Sequence, residues 1–140
     1  MTRTITFCVP GHPQGKGRAR SVMRGGHIAH YTPEKTRSYE SIIRGFAYEA
    51  MLKAIPFDGP VEVVMSAIFD IPASWPAKKR AAAMCGDIKP TKKPDIDNII
   101  KAVVDACNGV VFRDDCQIIK GQYAKAYGPQ PLIAVTVNAL

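Results

Sequence analysis

Residues 2–9 alternate, with Ile5, Phe7 and Val9 set against Thr4 and Thr6, and this period of two predicts a strand. Thr32-Pro33 supplies a helix start, with Thr as the cap and Pro at the first helical position. Tyr39, Ile42, Ile43, Phe46, Ala47 and Ala50 then recur at helical spacing to about Lys53, which marks a core-facing stripe. Residues 61–69 are apolar and β-branched between a turn at Asp58-Gly59-Pro60 and Pro72, so a second strand is expected there. Ser74-Trp75-Pro76 leads into a short helix over about 76–84 that exposes Lys78, Lys79 and Arg80, with Trp75 expected to pack rather than to stack on bases. Residues 97–107 carry Ile99, Ile100, Val103 and Cys107 on one helical stripe and stop at Asn108-Gly109. Residues 110–127 and 131–137 read as two closing strands joined through Gly128-Pro129. Helices and strands mix without regular βαβ alternation and without repeats. The expectation is one α+β domain over residues 1–140, a small mixed sheet packed against two main helices.

Composition narrows the class. A chain of 140 residues with 46% apolar and 22% charged positions is globular and long enough for one core. No apolar run approaches the roughly 20 residues of a membrane span, and residues 1–10 lack the zones of a signal peptide, so a cytoplasmic protein without membrane contact is expected. Cysteines at 8, 85, 107 and 116 form no CxxC pair and are expected to be ordinary buried or half-buried thiols in a reducing compartment.

Charge changes the picture more. The net charge is +7, which favours anionic partners. Residues 10–33 carry Lys16, Arg18, Arg20, Arg24 and all three histidines, but no acid. Residues 78–93 carry six basic residues against the single Asp87. The sign then reverses: Asp95, Asp97, Asp105, Asp114 and Asp115 fall within 21 residues, and no acid follows Asp115. Basic flanks around an acidic knot suit a polyanion gripped over a carboxylate-held metal. Residues 10–31 hold five glycines and two prolines and are expected to form a long loop whose GKGRAR run contacts phosphate. His27 and His30 have no third nitrogen or sulfur ligand nearby in sequence and read as a surface pair rather than a zinc site.

The most informative stretch is residues 92–118, KKPDIDNIIKAVVDACNGVVFRDDCQI. Pro94 places Asp95 at a loop-to-helix junction and Asp97 in the first turn. Spacing of four stacks Asp97, Lys101 and Asp105 on one face, opposite the apolar stripe and so directed away from the core. If the strand after Asp114-Asp115 returns beside the start of the helix, one of those acids meets Asp95 and Asp97. Carboxylates so gathered repel one another unless a divalent cation joins them, and all-oxygen ligation suits Mg²⁺, with Mn²⁺ as a substitute. Such an ion activates water and neutralises charge on a phosphodiester. The bland alternative leaves Asp95 and Asp97 as helix-capping acids and Asp114-Asp115 as a turn.

The same stretch resembles the signature of the RusA family of Holliday junction resolvases, approximately K-P-D-x-D-N-x-x-K-x-x-x-D-A-L-N-G-x-x-x-x-D-D-x-Q. GKGRARSVMRGG and YTPEKTRSYE are similar to that family's basic loop and first helix. The resemblance is weakest over residues 73–90. It implies a RusA-like fold and a Mg²⁺-dependent endonuclease, a homodimer acting on four-way DNA junctions in recombination and repair and often encoded by phages or prophages. It further implies that Asp95, Asp97 and Asp115 are catalytic metal-binding acids and Lys101 the catalytic lysine, with Asp114 a further candidate ligand and Asp105 a motif acid. Cys107 stands where the pattern has Leu, and Ala19 where relatives often have Pro. Pro94 stands where some relatives are basic, which shifts any basic role there to Lys92 or Lys93. The candidate DNA contacts are Lys16, Arg18, Arg20, Arg24, Lys92 and Lys93. Two other readings stay open: a nuclease for flaps or forks, and a non-catalytic module selective for DNA structure.

Overall fold

In chain order the elements are strands β1 (Thr4–Pro10), β2 (Arg20–Arg24) and β3 (His27–Tyr31), helix α1 (Glu34–Met51), strand β4 (Val61–Asp70), helices α2 (Ala77–Met84) and α3 (Ile96–Cys107), a 3₁₀ turn (Asp115–Gln117), and strands β5 (Ile118–Gly128) and β6 (Leu132–Ala139). The structure is a computed structural model describing residues 3–17, 20–31 and 34–140, and of residues 20–22, 24 and 29–31 the main chain only. The expected Thr32-Pro33 helix start therefore lies outside the described residues.

Four strands form one mixed sheet in the order β1-β6-β4-β5. β6 pairs antiparallel with both β1 and β4, whereas β5 runs parallel to β4. Because successive strand side chains point to opposite faces, Phe7 and Val9, Val61, Val63, Met65, Ala67 and Phe69, and Ile133, Val135 and Val137 share one buried face. The helices cover it. α1 buries Tyr39, Ile43, Ala47 and Met51, and α3 buries Ile99, Ala102, Val103 and Ala106. Full burial of a Val, Ile or Met contributes about 1.5–3 kcal/mol each, which is why the two apolar stripes set the helix positions. The opposite face is polar: Thr6 and Thr136 hydroxyls meet at 3.0 Å, Thr4 Oγ1 donates to Asn138 Oδ1 at 2.8 Å, and Asn138 Nδ2 donates to Glu62 Oε1 at 3.0 Å. A sheet with helices on one side and polar contacts on the other is the expected α+β arrangement. No described helix is long and apolar enough to cross a membrane.

Three expectations are corrected. Residues 10–31 are not a continuous loop, because β1 reaches Pro10 and β2 and β3 form an antiparallel hairpin. Its turn is Gly25-Gly26, with φ of 55° and 82°, a left-handed pair that matches the twist of a two-residue hairpin. The strand expected from 110 begins only at Ile118. Before it, Val111 and Phe112 are buried, and Val110 and Val111 N–H both donate to Cys107 O, so this apolar run closes the end of α3 instead of extending the sheet. Finally, of the four free thiols only Cys107 is buried; Cys8, Cys85 and Cys116 are exposed.

Candidate active site

The start of α3 is built by Pro94 and Asp95, with a cis Lys93-Pro94 bond just ahead of it. Asp95 is the helix N-cap in extended geometry, yet its side chain makes no capping hydrogen bond. Its main-chain oxygen accepts from Ile99 N–H, and the residue lines a cleft of about 520 Å³. Asp97 sits exposed in the first turn of the helix. The reading of Asp95 as a capping acid is thus not what its side chain does.

The segment 13–17 docks across this helix start. Lys16 N–H donates to Asn98 O at 2.9 Å, and Gly17 N–H to Thr36 Oγ1 at 2.9 Å. Gly15 lies so close that a Cβ there would stand 3.0 Å from Asn98 Cβ and 3.2 Å from Pro94 Cβ. Lys16, Lys35 and Lys93 line the cleft, so an acid and three cations share one opening. Lys16 itself is bound: its ammonium lies 2.7 Å from Asp105 Oδ2 and 2.8 Å from Glu40 Oε1, with 22% of the side chain exposed. Burial alone would lower its pKa, but hydrogen bonds and charge from Asp105 and Glu40 outweigh that and raise it above the ordinary lysine value. Asp105 therefore does not point freely to solvent as its helix face suggested. Lys101, at 63% exposure, approaches Asp105 only to 3.8 Å and projects past it.

The second pair of acids lies at the other end of α3. Gly109 N–H donates to Phe112 O and Phe57 N–H to Val111 O, pinning the turn after the helix. Gln117 holds the 3₁₀ turn to the same place: Nε2 donates to Phe57 O and Gly59 O, and Oε1 accepts from Arg113 and Asp114 N–H. Asp114 and Gln117 form a capping box, with the Asp114 carboxyl held below the usual carboxylate range, chiefly by the Cys116 thiol and further by main-chain and side-chain bonds of Asp115 and Cys116. Asp115 is exposed beside it. Asp95 and Asp97 open α3, whereas Asp114 and Asp115 come after its last residue, at the 3₁₀ turn that leads into β5. The returning strand starts at the end of α3, not beside its beginning. Accordingly, among the described residues of one chain no three His, Cys, Asp or Glu side chains gather to hold a metal. The donor types suit Mg²⁺, but the placement within a single chain does not.

Among the described residues no basic side chain forms an ion pair with Asp95, Asp97, Asp114 or Asp115. Among the described residues of a chain of net charge +7, these acids have no basic partner. Of the expected DNA contacts, Lys92 and Lys93 are exposed just ahead of Asp95. Arg18 lies outside the described residues, and of Arg20 and Arg24 only the main chain is described, in β2. Sequence reasoning missed Lys35 and Thr36, which α1 brings to the cleft, and Glu40, which α1 brings to Lys16; the one usable hint was a carboxylate flanking a core stripe, which needs a cation nearby.

The RusA endodeoxyribonuclease family model matches residues 10–138, which includes both helix ends and the docking segment. An uncharacterized protein of Bacillus subtilis (strain 168), YqaN, is 31% identical over 136 residues, covering 96% of this chain and 95% of that one. With that family model matching nearly the full chain, the protein belongs to the RusA family of Holliday junction endodeoxyribonucleases.

Proposed function

We propose that the protein is a divalent-metal-dependent resolvase that acts as a homodimer and cuts paired strands of four-way DNA junctions in recombination and repair. The observation that carries this reading is the set of acids before, within and after α3 that form no ion pair among the described residues of a strongly basic chain. Asp95 and Asp97, with Asp115 and the neighbouring Asp114, would hold Mg²⁺ or Mn²⁺. When bound, the ion supplies an acidified water and a counter-charge for the phosphodiester. Lys101 projects from the turn after Asp97 and orients the scissile phosphate. Lys93 and Lys92 hold phosphates beside the cleft, and Arg18, Arg20 and Arg24 are the further phosphate contacts that the sequence offers. Lys16 fixes the docking segment through Asp105 and Glu40 rather than meeting DNA.

The separation of the acids supports the dimer. A two-fold axis laying α3 antiparallel to its mate would bring each Asp95–Asp97 pair to the Asp115 of the second copy. Two equivalent centres then face two strands, as paired nicking requires.

The test is cleavage of a labelled synthetic four-way junction in Mg²⁺ and in EDTA, beside linear duplex, flaps and forks. Metal-dependent paired nicks at the crossover are expected, with the junction preferred over the other branched substrates. Tight junction binding without cutting in either Mg²⁺ or Mn²⁺ would reduce the protein to a binding module.

A further inference from the structure

Three lysines from separate elements surround one aromatic cluster beside the start of α3. Lys79 of α2 places its ammonium 4.0 Å from the Trp75 ring centre. Trp75 in turn meets Tyr127 of β5 edge to face, at 5.5 Å between centroids and 69° between planes. Lys92, three residues ahead of Asp95, lies 5.7 Å from the Phe69 ring and 5.9 Å from Tyr127. Lys125 of β5 lies 5.2 Å from Phe69 and donates to Lys92 O at 2.6 Å, which ties β5 to the segment entering α3.

The kind of partner distinguishes these lysines from Lys16, Lys101 and Lys120. Lys16, Lys101 and Lys120 each approach a carboxylate. Among the described residues Lys79, Lys92 and Lys125 form no ion pair; Asp70, next to Phe69, is taken by His12 at 3.4 Å. A ring face restrains an ammonium without cancelling its charge. Like charges are thus held over one group of rings, Lys92 and Lys125 sharing Phe69 and Lys79 on Trp75, an arrangement that favours an anion beside them. Trp75 is covered by Lys79 on one side and joined to Tyr127, so the cluster carries cations rather than offering a stacking surface for bases.

We infer that Lys79, Lys92 and Lys125 form a phosphate seat for the DNA backbone, positioned by Phe69, Trp75 and Tyr127, with Lys125 joining from a part of the chain that the motif does not reach. The seat reads backbone and not sequence, and it lies on the side of α3 where Asp95 begins the helix. This inference rests on the reading of the protein as a junction nuclease.

The test measures binding of the full-length protein to a labelled four-way junction in EDTA over a salt series. Lys79→Gln and Lys125→Gln each remove a charge, and the amide introduced by Lys125→Gln keeps a donor for Lys92 O. For each change the slope of log K against log salt is expected to lose about 0.9 in magnitude, and the double variant about 1.8. Arg at either position is expected to restore the slope, and Lys53→Asn to leave it unchanged. Wild-type protein that binds and cuts junctions, with unaltered slopes for the Gln variants, overturns the seat alone. Wild-type protein that binds no DNA overturns the nuclease reading and the seat together. If the Gln variants do not fold, the emission of the single Trp75 decides in the wild type. A salt-reversible change on adding junction supports the seat, and a flat response overturns it.

Discussion

At the scale of residues, Asp95 and Asp114 occupy the same formal position, the cap of a helical turn, and do opposite things. Asp114 closes a capping box, whereas the Asp95 side chain caps nothing and the residue lines the cleft. Asp97→Asn is therefore expected to keep junction binding and lower cleavage by at least about 100-fold, read by comparing anisotropy with nicking. Asp114→Asn is expected to loosen the turn, seen as a lower thermal midpoint. Because the Asp114 carboxyl is held below its ordinary value, its contribution is present above the ordinary carboxylate range and fades as pH falls through the depressed value. The thiols are graded in the same local way. Burial pushes Cys107 up to about 12 despite the nearby Arg44, and Asp114 raises the exposed Cys116 through a hydrogen bond. Alkylation at pH 8 followed by peptide mapping is expected to label Cys8 and Cys85 first, Cys116 more slowly, and Cys107 only after unfolding.

At the scale of elements, the 13–17 segment is held by two main-chain hydrogen bonds and one half-buried cation. Lys16→Gln leaves Glu40 and Asp105 facing each other in a half-covered site, and a cost of about 1–3 kcal/mol is expected in denaturant unfolding. Since the Lys16 pKa is raised, its contribution is complete below the ordinary lysine value and is lost only as pH climbs through the higher folded value. Gly15→Ala is expected to lift the same segment, because Asn98 and Pro94 already occupy the space of a Cβ. The elements that periodicity identified, β1, α1, β4, α3 and β6, each bury one clean stripe. The hairpin β2–β3 was missed because Ser21, Val22, Met23 and Ile28, Ala29, His30 show no consistent alternation; only Gly25-Gly26 announced it. Val110, Val111 and Phe112 misled for the converse reason: an apolar run can seal a helix end as readily as it can enter a sheet.

At the scale of the molecule, the family was legible in the motif and the placement of its acids was not. Spacing put Asp95 and Asp97 at a helix start, but it carries no information about which end of α3 receives the returning chain. If the centre forms across two copies, mixing Asp97→Asn with Asp115→Asn protein restores one intact centre per heterodimer, and single nicks should reappear although each variant alone is inactive. If each chain held its own centre, the mixture would stay dead. The strand order has a separate consequence, for the time course of folding. β1 pairs in the sheet only with β6, from Thr4 opposite Asn138 to Pro10 opposite Leu132. The first strand of the sheet to leave the ribosome must therefore wait for the last, and β4 lacks one of its two neighbours until then. Closure of the sheet is a late event of high contact order, so the nascent chain cannot complete its core until β6 has emerged from the ribosome.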